Sequence, residues 1–243
     1  MSETAYANTF MRREIKYLLT TQQQEDILER IYTYMTEDRY SNQTISSLYC
    51  DNDEDILIRT SLDKPIYKEK LRLRAYGTPQ DDSRVFLEIK KKFDGVVYKR
   101  RAKMNFAEAM NYLNDGVLPD FTRYNEQQVM AEIGFMVQRF QLKPKAAIFY
   151  DRRAFFGNDD HELRLTLDGN VRYRLDDLDL RNGTKGIQLA GQPHCVMEIK
   201  SANAIPLWLA EILTELALYP GSFSKYGSVY QEKLTRTRDT IKI

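Results

Sequence analysis

The stretch EKLRLRAYG, residues 69–77, places a cation at every second position along most of its length. Lys70, Arg72 and Arg74 alternate with aliphatic residues, and Lys68 extends the charged row backwards. Successive side chains of a β-strand point to opposite faces, so the stretch predicts one apolar face and one face with four cations. Because like charges in a row repel, we expect an anion or a set of carboxylates opposite that face.

The composition is that of a folded protein that buries a core. The chain has 243 residues, of which 42% are hydrophobic and 29% charged. Lysine and arginine number 36 against 35 aspartate and glutamate residues, which gives a formal net charge of +1. This balance argues against a protein that binds nucleic acid through bulk positive charge. Any anion site must therefore come from segregation of charge within the fold.

No segment of the sequence has the character of a membrane or export signal. There is no apolar run of membrane-spanning length, and the stretch MSETAYANTFMRREIKYLL lacks the apolar region of a signal peptide. Cys50 and Cys195 lie in apolar, strand-like runs that are typical of buried thiols in a reducing compartment. We therefore expect a cytoplasmic protein without a membrane span.

Hairpins and inserted helices indicate the fold class. Strands are predicted at 67–76, 85–93 and 96–103, and Asp94-Gly95 supplies a hairpin turn between the last two. A second hairpin is predicted at Asp168–Asn170. The helical segment TQQQEDILERIYTYM has Thr21 as its expected N-cap, and longer helical stretches follow residue 105 and Pro206. We predict an α+β fold with an antiparallel sheet or barrel decorated by helices, in one domain covering residues 1–243.

Most predicted strands repeat the same division into an aliphatic face and a charged face. If they close into a barrel, one set of faces must point inward. Either the aliphatic faces fill the lumen and the charges meet solvent, or helices cover an apolar exterior and the charges line a wet tunnel. The apolar stripes of the inserted helices need a sheet to pack on, which favours the second arrangement.

A tunnel rich in lysine and arginine with a few carboxylates suits one class of ligand. Polyphosphate groups carry several negative charges, and guanidinium groups match their oxygens. Sparse carboxylates suit a divalent metal that takes its other ligands from substrate oxygens. Phosphoryl transfer needs this combination of positioning, charge neutralisation and metal.

Seven motifs carry a resemblance to a known family. They are RREIKYLL, KLRLRAYG, FLEIKKK, YDRRAF, LRLTLD, VMEIK and FSKYG, spread from Arg12 to about Tyr226. Their order and spacing resemble the vacuolar transporter chaperone (VTC) domain, the polyphosphate polymerase branch of the CYTH-like triphosphate tunnel metalloenzymes. The resemblance implies an eight-stranded antiparallel tunnel that binds a nucleoside triphosphate or polyphosphate with Mn²⁺ or Mg²⁺. It also implies transfer of the terminal phosphoryl group of ATP to a growing polyphosphate chain.

The resemblance assigns roles to individual residues of this chain. The phosphate-contacting catalytic positions it implies are Lys16, Arg72, Arg74, Lys90, Arg152 and Arg164. The substrate-binding positions are Lys99, Arg101, Tyr150, Lys200 and Lys225, with Lys99 and Arg101 ambiguous in register by one residue. Glu198 matches the family's metal-binding glutamate, and Glu14 and Glu88 are possible helpers.

Other functions stay open beside polymerisation. Glu14 has the alternative role of neutralising a neighbouring lysine, and Asp168 is expected to be a turn residue because Gly169 follows it. Related triphosphatases use several first-strand glutamates where this chain has one, which favours transfer over hydrolysis. A triphosphatase acting on tripolyphosphate or a nucleoside triphosphate is the alternative, as is a non-catalytic binder of polyphosphate, pyrophosphate or nucleotide. No nucleic-acid partner is expected.

Overall fold

The computed structural model describes residues 13–39, 41–94, 96–202 and 204–241. In these ranges the strands are β1 (Arg13–Leu19), β2 (Met35–Glu37), β3 (Gln43–Asp51), β4 (Tyr67–Tyr76), β5 (Arg84–Phe93), β6 (Val96–Asn105), β7 (Lys143–Gly157), β8 (Arg164–Arg174), β9 (Ile187–Gln188), β10 (Cys195–Ser201) and β11 (Pro220–Gly221). The helices are α1 (Thr21–Ile31), α2 (Ile56–Leu62), α3 (Phe106–Asp115), α4 (Tyr124–Phe140), α5 (Leu207–Glu215) and α6 (Lys225–Ile241). The fold is α+β with a large antiparallel sheet, as the sequence predicts.

Two helices begin with a reciprocal capping box. At α1 the hydroxyl of Thr20 accepts from the Gln23 amide N–H, and the Gln23 side chain accepts from the Thr20 amide N–H. Thr20 is therefore the N-cap, one residue before the predicted Thr21. Asn105 and Glu108 form the same arrangement at α3. The short polar side chain at each site satisfies amide groups that the first helical turn leaves without partners.

The chain divides into two compact units that share strands β7 and β8. The smaller unit comprises the described parts of Met1–Asn42, Arg153–Asp168 and Pro193–Ser222. The larger unit comprises the described parts of Gln43–Arg152, Gly169–Gln192 and Phe223–Ile243. The single domain expected from the sequence stays a prediction.

In the smaller unit, helices cover the apolar face of the sheet. The strand order is β11-β1-β10-β8-β7, and β2 pairs with β7. One buried cluster joins the apolar strand residues to helices α1 and α5, and its members include Tyr17, Leu19, Ile27, Ile31, Leu165, Met197, Ile199 and Leu209. The charged residues that alternate with them on β1 and β10 consequently lie on the opposite face.

The larger unit repeats this division. Its strand order is β8-β7-β3-β4-β5-β6. The aliphatic row of the opening stretch is fully buried in a cluster with α3 and α4, whose members include Leu71, Leu73, Val85, Leu87, Phe106, Ala109, Ile133 and Met136. Helix α6 packs on part of the other face, where Tyr226 and Val229 contact the side of the sheet that holds Ile45 and Ile148. Of the two arrangements considered, the one with helices on the apolar faces is observed in each unit.

One predicted hairpin is confirmed and the other is wrong. Strands β5 and β6 pair with Phe93 directly opposite Val96, and this pairing requires a tight turn at Asp94. Gly95 lies outside the described residues. Strand β8 instead runs without a break through Asp168–Asn170. A positive φ of 53° at Asn170 lets the strand accommodate Gly169-Asn170 as an irregularity. The turn between β7 and β8 occupies residues 158–163, where the Gly157 amide donates to the Leu163 carbonyl.

The predicted closure of the sheet into a barrel is not confirmed. The order of the described strands is an open path that begins at β11 and ends at β6. Among the described helices, none combines the length and the apolar character needed to cross a membrane.

Candidate active site

Rows of cations cross strands β4, β5 and β6 of the larger unit. In the antiparallel register, Lys70 lies opposite Lys90, which in turn lies opposite Lys99. Neighbouring strands are about 4.8 Å apart, so the Cα atoms of this row repeat at about that spacing. Like charges placed directly opposite one another destabilise a sheet, and a bound polyanion relieves that cost.

The adjacent row contains the carboxylate that organises the arginines. Arg72 lies opposite Glu88, and Glu88 lies opposite Arg101. In this register Lys99 and Arg101 share one face and extend the two rows that begin at Lys70 and Arg72. Which of the two takes the family's position on β6 stays a prediction. We call the seven residues Lys70, Arg72, Arg74, Glu88, Lys90, Lys99 and Arg101 the cationic face.

Glu88 is ion-paired with both predicted arginines. Its Oε2 lies 2.8 Å from Nε and 2.8 Å from Nη2 of Arg72, and 3.8 Å from Nε of Arg74. Burial opposes ionisation of Glu88, but the charges of Arg72 and Arg74 outweigh it and lower the pKa of the carboxyl. Glu88 is thus placed to fix the two guanidinium groups, and its role as a helper in metal binding stays a prediction.

Two buried polar atoms on this face lack hydrogen-bond partners among the described residues. They are Oγ of Ser47 and Nε of Arg74, and the two residues lie directly opposite each other on β3 and β4. Buried polar atoms without partners are rare in folded proteins and mark a place for a water or ligand. Sequence reasoning missed Ser47, because only the strand register places it beside Arg74.

A second group of predicted residues meets around Tyr150 on β7. The ring of Tyr150 is buried, with Nζ of Lys225 4.1 Å and Cζ of Arg152 5.4 Å from its centroid. These distances are typical of cation–π contacts, which hold long cationic side chains in place. Lys225 is the first residue of α6, and the preceding Ser224 accepts a hydrogen bond of 3.1 Å from Lys70. The group is therefore linked to the cationic face within the larger unit.

The smaller unit carries an alternating set of charges on β1 and β10. Glu14 lies opposite Lys200, and Lys16 lies opposite Glu198, so the signs alternate both along and across the strands. We call these four residues the ion-pair quartet. Glu198 forms an ion pair with Lys200 and lies 3.9 Å from Nζ of Lys16. Burial and the neighbouring Glu14 oppose its ionisation, but Lys200 and Lys16 lower the pKa of the Glu198 carboxyl.

Strand β8 of the smaller unit adds Arg164, Thr166 and Asp168 to the face opposite its apolar cluster. Arg164 is half-exposed and pairs with Asp38 at 3.2 Å. Asp168 is buried in the strand and not a turn residue, so the sequence missed it as a candidate site residue. The local sequence led to the wrong prediction, because an Asp-Gly pair is more common in turns than within a strand.

The ion-pair quartet fits a divalent metal of the kind the family resemblance implies. Glu198 and Glu14 supply two carboxylates close enough for their charges to interact. Mg²⁺ and Mn²⁺ are commonly held through one or two carboxylates, with substrate phosphate oxygens as further ligands. No group of three or more Asp, Glu, His or Cys residues in the described part of the chain could form a metal cage.

Comparison with known proteins gives relatives of one kind. The chain is 24% identical over 92% of its length to the vacuolar transporter chaperone complex subunit 4 of Trypanosoma brucei brucei and, equally, to that of Trypanosoma cruzi. The same subunit of Schizosaccharomyces pombe is 26% identical over 57% of this chain. The chain spans 34% of the length of the two trypanosome relatives.

Solved structures share the fold at low sequence identity. A putative adenylate cyclase from Bacillus halodurans superposes with a TM-score of 0.53 at 13% identity, covering 88% of this chain and 95% of that one. A putative adenylyl cyclase from Hippeastrum, described as having a dominant triphosphatase activity, gives 0.57 at 14% identity, covering 91% and 96%. The family model of the VTC domain matches residues 11–232, nearly the whole chain. The resemblance carried by the seven motifs is thereby confirmed, and the chain belongs to the VTC domain family.

Proposed function

We propose that this protein is a metal-dependent polyphosphate polymerase that transfers the terminal phosphoryl group of ATP to a growing polyphosphate chain. The observation that carries the proposal is the cationic face, where six lysine and arginine side chains surround a single carboxylate in register across three strands. Such an array exceeds what one phosphate group needs and matches a ligand with several negative charges along a chain.

Arg72 and Arg74 have the most direct part in this proposal. Glu88 holds both guanidinium groups from one side, so their remaining N–H donors are oriented before a ligand arrives. Preorganised donors cost little reorganisation when charge develops on the transferred phosphoryl group. The partnerless atoms of Ser47 and Arg74 support the same placement of phosphate oxygens.

The proposal assigns metal binding to Glu198 and Glu14. A bound Mn²⁺ or Mg²⁺ supplies Lewis-acid charge to phosphate oxygens. Lys200 and Lys16 lower the pKa of the Glu198 carboxyl, and the two lysines add positive charge for the substrate. The closed triphosphate tunnel of the family and a cytoplasmic location belong to the proposal as well, with Arg152, Arg164, Tyr150 and Lys225 as further substrate contacts.

A triphosphatase is the second candidate. The Hippeastrum structure that shares this fold is described as a triphosphatase, and the pair Glu14–Glu198 offers more than one carboxylate for metal binding. Hydrolysis and transfer use the same phosphate contacts and differ in the acceptor, which is water in one and the end of a phosphate chain in the other.

Separation of the products by size tests the proposal. The purified protein is incubated with ATP and Mn²⁺, and we expect a nuclease-resistant polymer of phosphate. Orthophosphate without polymer would replace the polymerase by a triphosphatase, and phosphate-chain binding without turnover would leave a non-catalytic binder. Arg100→Ala is the matched control, because Arg100 lies on β6 but on the opposite face from Arg101 and pairs with Glu132 of α4 at 2.9 Å.

A further inference from the structure

Tyr49 on β3 contacts the central arginine of the cationic face. It lies directly opposite Arg72, is 7% exposed, and its hydroxyl accepts a hydrogen bond of 3.3 Å from Nη1 of Arg72. The Nε and Nη2 atoms on the other side of the same guanidinium donate to Glu88. The guanidinium is thus fixed at two edges, and one of them depends on a residue that the family motifs do not include.

Tyr49 is itself held by the first turn of α6. Its ring stacks on Tyr226, with centroids 4.7 Å apart and planes 20° from parallel. The hydroxyl of Tyr226 donates to the buried carboxylate of Asp51, which also accepts from the backbone amides of Leu57 and Ile58. This chain of contacts leaves the Tyr49 hydroxyl little freedom, as a group that orients another group requires.

We propose that Tyr49 is a positioning residue, whose hydroxyl holds the Arg72 guanidinium in the orientation that binds a phosphate chain. The proposal rests on the phosphate-binding role of the cationic face. Tyr49 lies in none of the sequence motifs. A tyrosine on a strand is most often a packing residue, so the sequence alone does not indicate this role.

The charges around Tyr49 make this contact sensitive to pH. Strand β4 presents Lys70, Arg72 and Arg74 to it, and β7 presents Tyr150, whose ring lies under Lys225 of α6. Helix α6 also presents Tyr226, which is hydrogen-bonded to Asp51 of β3, and α2 contributes the apolar Ile58. Burial raises the pKa of Tyr49, but the charges of Arg72, Lys70 and Arg74 and the hydrogen bond from Arg72 outweigh it and lower the pKa to about 8.

Ionisation of Tyr49 and binding of phosphate oppose each other. Below pH 8 the phenol is neutral and only orients Arg72; above pH 8 the phenolate pairs with Arg72 and removes one positive charge from the face. A phosphate chain neutralises the same cations that favour the phenolate, so its binding restores the neutral phenol. We therefore expect the affinity for a phosphate chain to fall as pH rises through about 8.

Tyr49→Phe tests the proposal, because phenylalanine keeps the ring and the stacking but removes the hydroxyl. The matched control is Tyr112→Phe, since Tyr112 is also 7% exposed but packs in the cluster under α3 on the opposite face. Calorimetry with inorganic tripolyphosphate, without metal, gives the affinity on either side of pH 8. We expect Tyr49→Phe to bind about tenfold more weakly below pH 8 and to lose the alkaline fall, while Tyr112→Phe matches the wild type.

A second measurement needs no variant. Ultraviolet difference spectroscopy of the wild type should show one tyrosine ionising near pH 8, and saturating tripolyphosphate should move that ionisation to higher pH. Wild-type affinity and pH dependence in Tyr49→Phe, or no tyrosine ionisation that responds to tripolyphosphate, would overturn the proposal. Tripolyphosphate binding without polymer formation would remove the polymerase and leave the role of Tyr49 intact, whereas polymer formation without tripolyphosphate binding would overturn the role of Tyr49 and leave the polymerase.

Discussion

The cationic face and the ion-pair quartet come from the same strand pattern but differ in charge balance. In the larger unit six cations surround Glu88, whereas in the smaller unit two lysines alternate with two glutamates. The first arrangement leaves an excess of positive charge that a polyanion can neutralise. The second has equal numbers of positive and negative side chains, and its lysines lower the pKa of the Glu198 carboxyl. The comparison teaches that placement of a few carboxylates decides whether alternating strands carry an excess of positive charge or a balanced set of ion pairs.

The sharpest way to break this comparison is to remove the arginines. We expect the double variant Arg72→Ala/Arg74→Ala to lose about a hundredfold to ten-thousandfold in turnover. Loss of each charge-assisted contact costs about 1.5–3 kcal/mol, and about 1.4 kcal/mol is a factor of ten in rate. Rates of polymer or phosphate formation measure the effect, with Arg100→Ala as the control that keeps wild-type rates. Full activity in the double variant would remove the cationic face from the mechanism.

Neutralising Glu198, the carboxylate proposed to bind the metal, should separate the two regions. Glu198→Gln is expected to reduce metal-dependent turnover by about a hundredfold, because several kcal/mol of charge stabilisation come from such a metal. Tripolyphosphate binding measured without metal should persist, since the cationic face is unchanged. Glu215→Gln, at an exposed ion pair with Arg30 in the same unit, is the control. An unaltered metal dependence in Glu198→Gln would place the metal ligands elsewhere.

Glu88→Gln tests whether the lone carboxylate of the cationic face is structural. Its pKa is lowered in the folded protein, so its contribution to stability is present above the ordinary carboxyl pKa and is lost as pH falls through the folded value. We expect the variant to be less stable by about 1–3 kcal/mol at neutral pH and to show a flatter acid dependence of melting temperature. Glu132→Gln, at the more exposed pair with Arg100, should cost less than about 1 kcal/mol. Equal losses in the two variants would contradict a special role for Glu88.

The smallest expected effect concerns the helix that covers the apolar face of the smaller unit. Thr20→Ala removes the capping box of α1 and should cost about 1 kcal/mol in the free energy of unfolding, measured by denaturant titration. Thr20→Ser keeps the hydroxyl and should restore most of the loss. Because Thr20 contacts neither set of charges, turnover at a temperature well below unfolding should stay at the wild-type rate. A large loss of turnover would mean that α1 positions the ion-pair quartet.

Much of this organisation could be predicted because it follows from alternation within single strands. The faces of β4, β5 and β6 and the helices over the aliphatic rows are consequences of the two-residue period and the burial of apolar groups. The register between strands is a property of tertiary packing, which local sequence does not determine. That is why the pairing of Glu88 with Arg72 and the contact of Tyr49 with Arg72 were not predicted.

The wrong hairpin in β8 has a related cause. The local preference of Asp168-Gly169-Asn170 for a turn is real, but pairing on both sides of the strand outweighs it. Tertiary contacts thus turned a turn-like sequence into a strand and buried Asp168 with it.

The docking of α6 has a consequence for folding kinetics. The hydrogen bond from Lys70 to Ser224 joins residues 154 positions apart, and the one from Tyr226 to Asp51 spans 175. Contacts of such sequence separation form late, because closing a long loop is entropically unfavourable until the intervening strands are in place. The hairpin of β5 and β6 should therefore assemble well before Tyr49 gains its stacking partner, so during synthesis or refolding the strands of the cationic face form before the contacts that fix Tyr49 are made.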